Sequence, residues 1–282
     1  MGPQKNKSSG DARIRRATEL SSTYPFAAEV LRFYAQVAML QQSLYSELEQ
    51  TPAHVFFPAS SGWGELNIFK LLPKFGNFLS SIGQVAPTTL SQAAIALSQK
   101  PSSSWQPLLE DFWHSRAIHV DDVDVDMTNG KTLADQCLAW LFLQPCAEYL
   151  AGGMQGHVPD EGSPRTCPLC NAKPIVGVLR PEGDGARKSL ICMFCAHEWA
   201  FRRLYCPSCG EEREPHLAFY SAPEVPHVRV DVCDTCRTYL KTVDLTKTGL
   251  AVPVVDELAA IPLDLWAREN NYRKLQMNAV GI

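Results

Sequence analysis

The sequence predicts an α+β protein with an all-α N-terminal domain, two small metal modules of four cysteines each, and a C-terminal helix. Three observations support this fold class. Apolar residues of the first half recur at the spacing of amphipathic helices, four Cys-x-x-Cys pairs separate short β-like runs in the second half, and the last stretch returns to a helical pattern. A chain of 282 residues is also long enough for about two domains.

The predicted helical domain covers residues 23–156. Its first helix is indicated by Val30, Leu31 and Tyr34, which begin an apolar series at helical spacing. Residues 1–22 are polar and basic, and we predict a flexible lead-in there. Clusters of Pro, Gly and Ser separate the further predicted helices, which are residues 65–72, 88–99, 106–113 and 132–144.

The composition changes after residue 153, where prolines, glycines and acidic residues predict a linker over 157–164. We predict the first metal module over 157–202 and the second, with the C-terminal helix, over 203–282. Residues 254–270 carry the helical pattern of that last segment, and Pro262 should either kink the helix or start a new one.

The composition excludes several classes of protein. A hydrophobic fraction of 45% with 20% charged residues excludes wholesale disorder, and a net charge of −4 gives no global attraction to nucleic acid or anionic membrane. The basic N-terminus is not followed by the apolar stretch of a signal peptide, and no apolar run reaches the roughly 18 residues of a membrane span. We therefore expect a cytoplasmic protein without membrane insertion, whose cysteines stay reduced.

Eight of the ten cysteines form four Cys-x-x-Cys pairs within one short segment. One such turn directs two thiolates at one centre, and two turns complete a tetrahedral sulfur cage. A single pair could be redox-active in a thioredoxin-like fold, but four pairs without a βαβ pattern indicate metal binding. The predicted ligands are Cys167, Cys170, Cys192, Cys195, Cys206, Cys209, Cys233 and Cys236.

The spacing suggests how the pairs combine. Twenty-one residues separate the first two pairs and 23 separate the last two, whereas only 10 lie between the second and the third. We call each Cys-x-x-Cys turn a knuckle. The segment is therefore an approximate repeat of one unit, which consists of a knuckle, a short hairpin and a second knuckle. Sequential pairing makes one site from the first four cysteines and another from the last four. Spacing alone also allows an interleaved cross-brace.

Residues beside the thiols favour tight knuckles. Gly210 follows the third pair and Asn171 the first, and both residue types accept the left-handed backbone that turns amides toward sulfur. Each module is too small to fold on apolar burial alone, so a bound metal would supply the missing stability. Four thiolates suit zinc and also mononuclear iron, and such a closed cage has no open position for hydrolytic catalysis.

Other candidate residues have simpler interpretations. Cys137 and Cys146 lie outside the pairs and are expected to be small core residues, and His197 is expected at the surface or beside a site that four cysteines already fill. The acidic run over residues 121–126 lacks the Gly turn and terminal Glu of an EF-hand and is expected to be a solvated loop.

Aromatic residues follow the second knuckle of each module, as Glu198-Trp199 and as Tyr239-Leu240-Lys241. They fit either a core beneath a metal site or contacts with a partner. A nucleic-acid-binding zinc ribbon is a competing interpretation of the whole region. Residues 161–282 contain fifteen Lys/Arg and fifteen Asp/Glu, so the basic surplus of a phosphate-binding module is lacking and no nucleic-acid partner is expected.

The cysteine pattern resembles the bacterial formate dehydrogenase accessory protein family. The motifs that carry the resemblance are Cys-Pro-x-Cys at 167–170, Cys-x-x-Cys-x-x-Glu-Trp at 192–199, Arg-x-x-Cys-Pro-x-Cys-Gly at 203–210 and Cys-x-x-Cys-x-x-Tyr-Leu-Lys at 233–241. The similarity extends to about Tyr272 through the tail that begins at Val255-Asp256-Glu257. Asn171 stands where that family has Gly, and Val255-Asp256-Glu257 where Ala-Asp-Asp is usual.

The resemblance implies two rubredoxin-like modules and a role as an accessory protein, not as an enzyme, so that catalytic and organic-cofactor sites are expected to be absent. Its implied partner is the molybdenum-containing catalytic subunit of a respiratory formate dehydrogenase, bound in the cytoplasm before export. It also implies two metal ions, with iron favoured and zinc compatible with the chemistry. The alternatives are a zinc-ribbon nucleic-acid-binding protein and an iron redox carrier.

Overall fold

The computed structural model describes residues 4–58, 63–118, 132–154 and 162–278. They belong to two compact units. The helical unit comprises Met1–Asp11 and Gln36–Gln155, and the sheet unit comprises Ala12–Ala35 and Gly156–Ile282. No described helix is both long enough and apolar enough to cross a membrane.

The predicted helical first half is confirmed. Two predicted helices continue further than expected. The helix predicted over 65–72 runs to Val85, and the one predicted over 132–144 runs to Met154 across an internal proline. The helices are α1 (Gln4–Thr23), α2 (Ala28–Gln50), α3 (Ile68–Val85), α4 (Thr88–Ser98), α5 (Gln106–Ser115) and α6 (Leu133–Met154).

The internal proline of α6 is compensated by a side chain. Pro145 has no amide hydrogen for the carbonyl of Leu141, one helical turn earlier. The side-chain amide of Gln41 donates to that carbonyl at 2.8 Å, and Gln41 is buried. This bond satisfies a backbone acceptor that would otherwise be buried without a partner, which allows α6 to continue through the proline.

Aromatic rings fill the centre of the helical unit. The ring of Phe142 lies 4.9 Å from that of Phe75, which also meets Trp105 edge to face at 5.7 Å between centroids. Cys137 and Cys146 are buried in α6, and burial raises the pKa of each thiol to about 12. Both are therefore protonated core residues near neutral pH, which agrees with the prediction.

The sheet unit contains a single seven-stranded sheet in which six strands follow the order β3-β2-β1-β6-β5-β4 and β7 pairs with β6. Strands β1–β3 form one antiparallel meander and strands β4–β6 another. The strands are β1 (Pro174–Glu182), β2 (Gly185–Cys192), β3 (Glu198–Ala200), β4 (Leu217–Ser221), β5 (Val228–Cys233), β6 (Thr238–Asp244) and β7 (Arg273–Lys274).

A parallel pair, β1 with β6, joins the two meanders. Gly177 lies opposite Thr242 there, and a Cβ atom on Gly177 would collide with the Thr242 hydroxyl. The glycine therefore permits the close approach of the two strands. The sequence predicts two consecutive modules, and the structure adds that they share one sheet.

Two short helices, α7 (Pro253–Ala259) and α8 (Ile261–Glu269), pack on one face of the sheet. They replace the single helical segment predicted over 254–270, and Pro262 stands in the first turn of α8, where its missing amide costs no hydrogen bond. Of the two predicted outcomes, a kink or a new helix, the structure shows the second.

The structure differs from the predicted flexible lead-in over residues 1–22, because helix α1 occupies most of that range. Ala17 and Leu20 are buried, and the guanidinium of Arg16 donates to both carboxylate oxygens of Asp256 in α7, at 3.0 and 2.6 Å. These partners lie 240 positions apart, so the polar local sequence gave no indication of the contact.

Candidate metal centre

The first four cysteines converge at the open end of the β1–β2 hairpin. Their sulfur atoms all lie within 4.8 Å of one another. The sulfur of Cys167 is 3.6 Å from that of Cys195, and the sulfur of Cys170 is 3.3 Å from that of Cys192. We call this group the first cluster.

The last four cysteines form a second cluster with the same arrangement around the β4–β5 hairpin. The sulfur of Cys206 is 3.7 Å from that of Cys236, and the sulfur of Cys209 is 3.7 Å from that of Cys233. The structure thus groups the eight predicted cysteines sequentially and does not show the interleaved alternative.

The four knuckles share features of backbone conformation. In the first, the amide of Cys167 donates to the carbonyl of Ala172 at 2.8 Å, and the amide of Cys206 makes the corresponding bond to Glu211 at 2.9 Å. The residue directly after each pair has a positive φ, as Asn171, Ala196, Gly210 and Arg237. Two of these conformations were predicted, whereas Ala196 and Arg237 adopt theirs against their intrinsic preference.

Backbone amides also point at the sulfur atoms. The amides of Phe194 and Cys195 lie 3.3 and 3.5 Å from the sulfur of Cys192, and the amide of Ser208 lies 3.4 Å from that of Cys206. An amide that donates to sulfur stabilises the negative thiolate. The knuckles therefore favour the ionised ligand that a metal requires.

The geometry fits a tetrahedral metal. Four sulfurs about 2.3 Å from a central ion would lie about 3.8 Å from one another. The four sulfur distances given above, from 3.3 to 3.7 Å, are slightly shorter than that value. Each cluster offers only sulfur donors, a set that suits zinc and mononuclear iron.

The two clusters differ in burial. All four cysteines of the first are buried, whereas in the second Cys209 is exposed and Cys236 is partly exposed. In the first cluster, hydrogen bonds from the other three cysteines lower the pKa of Cys167, and burial raises the pKa of Cys192. In the second, burial opposes ionisation of Cys236, but hydrogen bonds from Thr238, Ser208 and Cys209 together outweigh it and lower the pKa of this thiol to about 7.

The residues after the second knuckle of the first module are structural. His197 belongs to neither cluster and stacks on Trp199 at 6.4 Å between centroids. Trp199 is buried, and its indole donates to the carbonyl of Pro164 at 2.9 Å. Glu198 accepts two hydrogen bonds of 2.7 Å from Arg180. For Glu198-Trp199, these contacts favour the interpretation as part of the core beneath a metal site over that of contacts with a partner.

A buried network of charges was missed by the sequence reasoning. Lys241 in β6 is fully buried, and its ammonium group donates to the carbonyl of Glu257 at 2.6 Å and to the carboxylate of Asp264. It also pairs with the carboxylate of Glu257 at 3.0 Å. Lys274 pairs with the carboxylates of Glu257 and Asp264, at 2.5 and 3.1 Å, and Tyr239 donates to Asp264 at 2.8 Å. Burial alone would lower the pKa of Lys241, but the two carboxylates raise it.

This network gives a structural role to two acidic residues of the C-terminal tail. Glu257 of α7 and Asp264 of α8 both face β6, where they pair with Lys241. A signal for it exists in the sequence, since Lys241 follows two core residues and the acids interrupt apolar stretches. The partners are far apart along the chain, so that signal does not identify the pairing.

The end of the described chain also contacts the second cluster's knuckle. The hydroxyl of Tyr272 donates to Asp234 at 2.6 Å, and the guanidinium of Arg237 lies 4.0 Å above the Tyr272 ring. Asp234 lies within the fourth knuckle, and Arg237 directly follows that knuckle. The acidic run at residues 121–126, by contrast, lies outside the described residues.

The fold and the clusters define a class of protein: an α+β protein in which two repeated meanders share one sheet and each carries a four-cysteine cluster of metal-site geometry. Two family models match this region. The FdhE central domain matches residues 166–203, and the FdhE C-terminal domain matches residues 204–280. The matches confirm the resemblance to the formate dehydrogenase accessory proteins over residues 166–280.

Curated relatives agree with this assignment. An FdhE homologue of Aquifex aeolicus is 36% identical over 41% of this chain and 41% of its own length, and one of Pseudomonas aeruginosa is 31% identical over 47% and 44%. These matches thus span less than half the length of either relative. A homologue of Proteus mirabilis is 26% identical over 94% of this chain and 86% of its own length.

A solved structure shows the same fold over nearly the whole chain. The crystal structure of the FdhE protein from Pseudomonas aeruginosa covers 99% of this chain and 97% of its own, with a TM-score of 0.67 and 22% sequence identity. Both the helical part and the sheet part of the chain therefore have a counterpart in that structure.

Proposed function

We propose that this protein is an accessory factor for the maturation of formate dehydrogenase and that it is not itself an enzyme. Two closed four-cysteine clusters in an FdhE-type fold support this proposal most directly. Four cysteine ligands complete a tetrahedral metal shell, so such a site has no open position at which a substrate could bind.

The proposed client is the molybdenum-containing catalytic subunit of a respiratory formate dehydrogenase, which the protein would bind in the cytoplasm before export. The match of residues 166–280 to the FdhE family models supports this client. The test is co-purification of the full-length, metal-loaded chain with that subunit under reducing conditions. A complex, together with loss of formate oxidation in a deletion strain, is expected. No complex together with normal formate oxidation would exclude the proposal.

We also propose that the eight clustered cysteines bind two metal ions, and that iron is the resident metal. The sulfur-only donor sets and amide-to-sulfur contacts support metal binding, and the family resemblance favours iron. Elemental analysis and an absorption spectrum of anaerobically purified protein test both points. Two irons per chain with the colour of ferric tetrathiolate are expected, whereas two zinc ions in colourless protein would contradict the choice of iron.

An iron redox carrier is a second candidate, and the exposure of Cys209 favours it because electrons transfer readily to a site at the surface. A reversible one-electron wave from the iron-loaded protein, lost in a Cys209→Ser variant, would support this function. A Cys137→Ser variant, which changes a core thiol outside the clusters, is the control.

A further inference from the structure

A cavity of about 360 Å³ lies beside the second cluster, on the sheet face opposite to α7 and α8. The register of the strands places Lys188, Asp231 and Phe219 on this face, whereas Lys241 points to the helices on the other. The segment from Arg203 to Ser208 lines the cavity as well, and so do two cluster ligands. An occupant would therefore lie next to the second metal site.

Charged residues line the floor of the cavity. Asp231 pairs with Lys188 at 2.7 Å and with Arg229 at 2.8 Å, and it accepts a hydrogen bond of 2.8 Å from Thr242. Burial would raise the pKa of Asp231, but the two cations outweigh it and lower the pKa. One carboxylate thus faces two cations in a fixed arrangement.

The rim adds a third cation and an apolar surface. Arg203 is exposed, and among the described residues it has no ion-pair partner. The cavity lining therefore contains three cationic side chains and one carboxylate. Phe219 is 60% exposed with the Arg229 guanidinium 4.5 Å from its ring centre, and Leu204 is 52% exposed. An occupant with an apolar body and a carboxylate would complement these features.

Strand β4 lies along one side of the cavity and is an edge strand. Among the described residues it pairs only with β5, so the backbone groups of its outer edge are available. Exposed edges are usually protected by charged residues or proline. β4 has the sequence Leu-Ala-Phe-Tyr-Ser and contains neither a charged residue nor a proline. Its Tyr220 is 43% exposed. The opposite edge, β3, is only three residues long and carries Glu198.

We propose that β4 and the adjacent cavity bind an extended segment of the client that is apolar and carries an acidic residue. The segment adds a strand to the edge of β4, its apolar side chains contact Phe219 and Leu204, and its carboxylate pairs with Arg203 and Arg229. This inference depends on the proposed function for the identity of the partner. Its physical basis is the combination of an unprotected edge, an apolar wall and a cationic surplus.

The first test is hydrogen exchange on the full-length, metal-loaded protein with and without the purified catalytic subunit. We expect amides of residues 217–221 to exchange more slowly in the complex, because hydrogen bonds to the added strand protect them. Amides of residues 203–208 should also exchange more slowly, because the client covers the rim. Protection that is confined to other surfaces would overturn the inference.

The second test uses charge reversal at the rim. Arg203→Glu should weaken binding of the catalytic subunit by about tenfold or more, because a like charge would face the carboxylate. Arg187→Glu is the matched control, since Arg187 is also exposed on the sheet unit but does not line the cavity. Equal affinities of both variants and wild type would exclude a role for Arg203.

These tests separate failure of the inference from failure of the proposed function. A wild-type chain that forms no complex contradicts the proposed client, whereas a complex that tolerates Arg203→Glu and leaves β4 unprotected contradicts only this docking site. Protection of β4 without client, with a concentration-dependent dimer in sedimentation, would show that a second copy of the chain occupies the edge and would also overturn the inference.

Discussion

The two cysteine clusters have the same local construction and different surroundings. Both use two knuckles at the end of a hairpin, and both continue into a third strand. The first is fully buried, however, and the second reaches the surface through Cys209. Repetition of a metal-binding unit thus does not make two equivalent sites.

The residues between the cysteines of each module's second knuckle differ in the same direction. Met193 and Phe194 separate the two in the first module and are almost completely buried. Asp234 and Thr235 occupy the same places in the second module and are exposed. The apolar spacers of the first cluster thus belong to a core, whereas the polar spacers of the second are in contact with water. We expect a structural first site and an accessible second site.

The largest expected effect comes from equivalent serine variants of the two clusters. Cys170→Ser should remove the first metal and a stabilisation on the order of 10 kcal/mol, so that little soluble protein is obtained. Cys209→Ser, at the matching position, should lose the second metal but retain the fold and the first metal. Metal content and circular dichroism measure both effects. Equal losses in the two variants would contradict the distinction between the sites.

A variant of the buried charges beneath β6 would show how far the stability of the second module depends on α7 and α8. Lys241→Met should cost about 3–5 kcal/mol in unfolding free energy, because Glu257 and Asp264 would lose one of their two cations. Lys247→Met, at an exposed lysine, is the control. Urea unfolding at constant metal occupancy measures the difference, and a change below that of the control would show that the network contributes no net stability.

The junction between the modules should be sensitive to a single methyl group. Gly177→Ala should destabilise the protein by about 1–3 kcal/mol, because the new Cβ would press on Thr242. Gly153→Ala, where the added atom meets no neighbour, is the control. Calorimetry is expected to show a lower melting temperature for the first variant alone. Unchanged melting would indicate that the parallel β1–β6 pair can move apart without cost.

Accessibility should separate the clusters kinetically. In metal-loaded protein we expect a chelator to remove the second metal about tenfold faster than the first, and iodoacetamide to label Cys209 before any cysteine of the first cluster. Stopped-flow absorbance and peptide mass spectrometry follow these reactions. Release in a single phase, with simultaneous labelling of both clusters, would mean that the difference in burial has no kinetic consequence.

The smallest expected effect concerns the contact of α1 with α7. Hydrogen bonds from His227 and Arg16 outweigh burial and lower the pKa of Asp256 below 3.8. A carboxylate of this kind contributes stability above its unfolded pKa, and the contribution disappears as the pH falls through the lower folded pKa. Asp256→Asn should therefore lower the opening free energy measured by hydrogen exchange in α1 by about 1 kcal/mol at pH 7, and this difference from wild type should shrink as the pH falls from 5 to 3. A difference that stays constant between pH 5 and pH 3 would contradict this origin.

Local features were the ones that the sequence predicted best. The eight cysteines, their sequential grouping and the left-handed conformations at Asn171 and Gly210 all concern residues that are near in the chain or repeat at a fixed spacing. Helices α2–α6 were found for the same reason, since their periodicity is local, although α1 and the far ends of α3 and α6 were not. In α6 the reason is Gln41, which compensates Pro145 from another helix.

Features that join distant segments were missed or left open. The contact between Arg16 and Asp256 turns an expected lead-in into helix α1, and Lys241 finds its acids in two helices further along the chain. The cavity beside the second cluster likewise combines residues of β2, β4 and β5. Each feature depends on pairing partners that no local pattern identifies.

The sequence by itself determined that this protein has a helical half and two four-cysteine modules, because helical period and thiol spacing are properties of short stretches of chain. Only the tertiary structure decided that the modules share one sheet, that α1 packs with them, and that one cluster is buried while the other is open. Burial and charge pairing depend on what surrounds a residue in space, and those surroundings arise only when distant segments of the chain pack together.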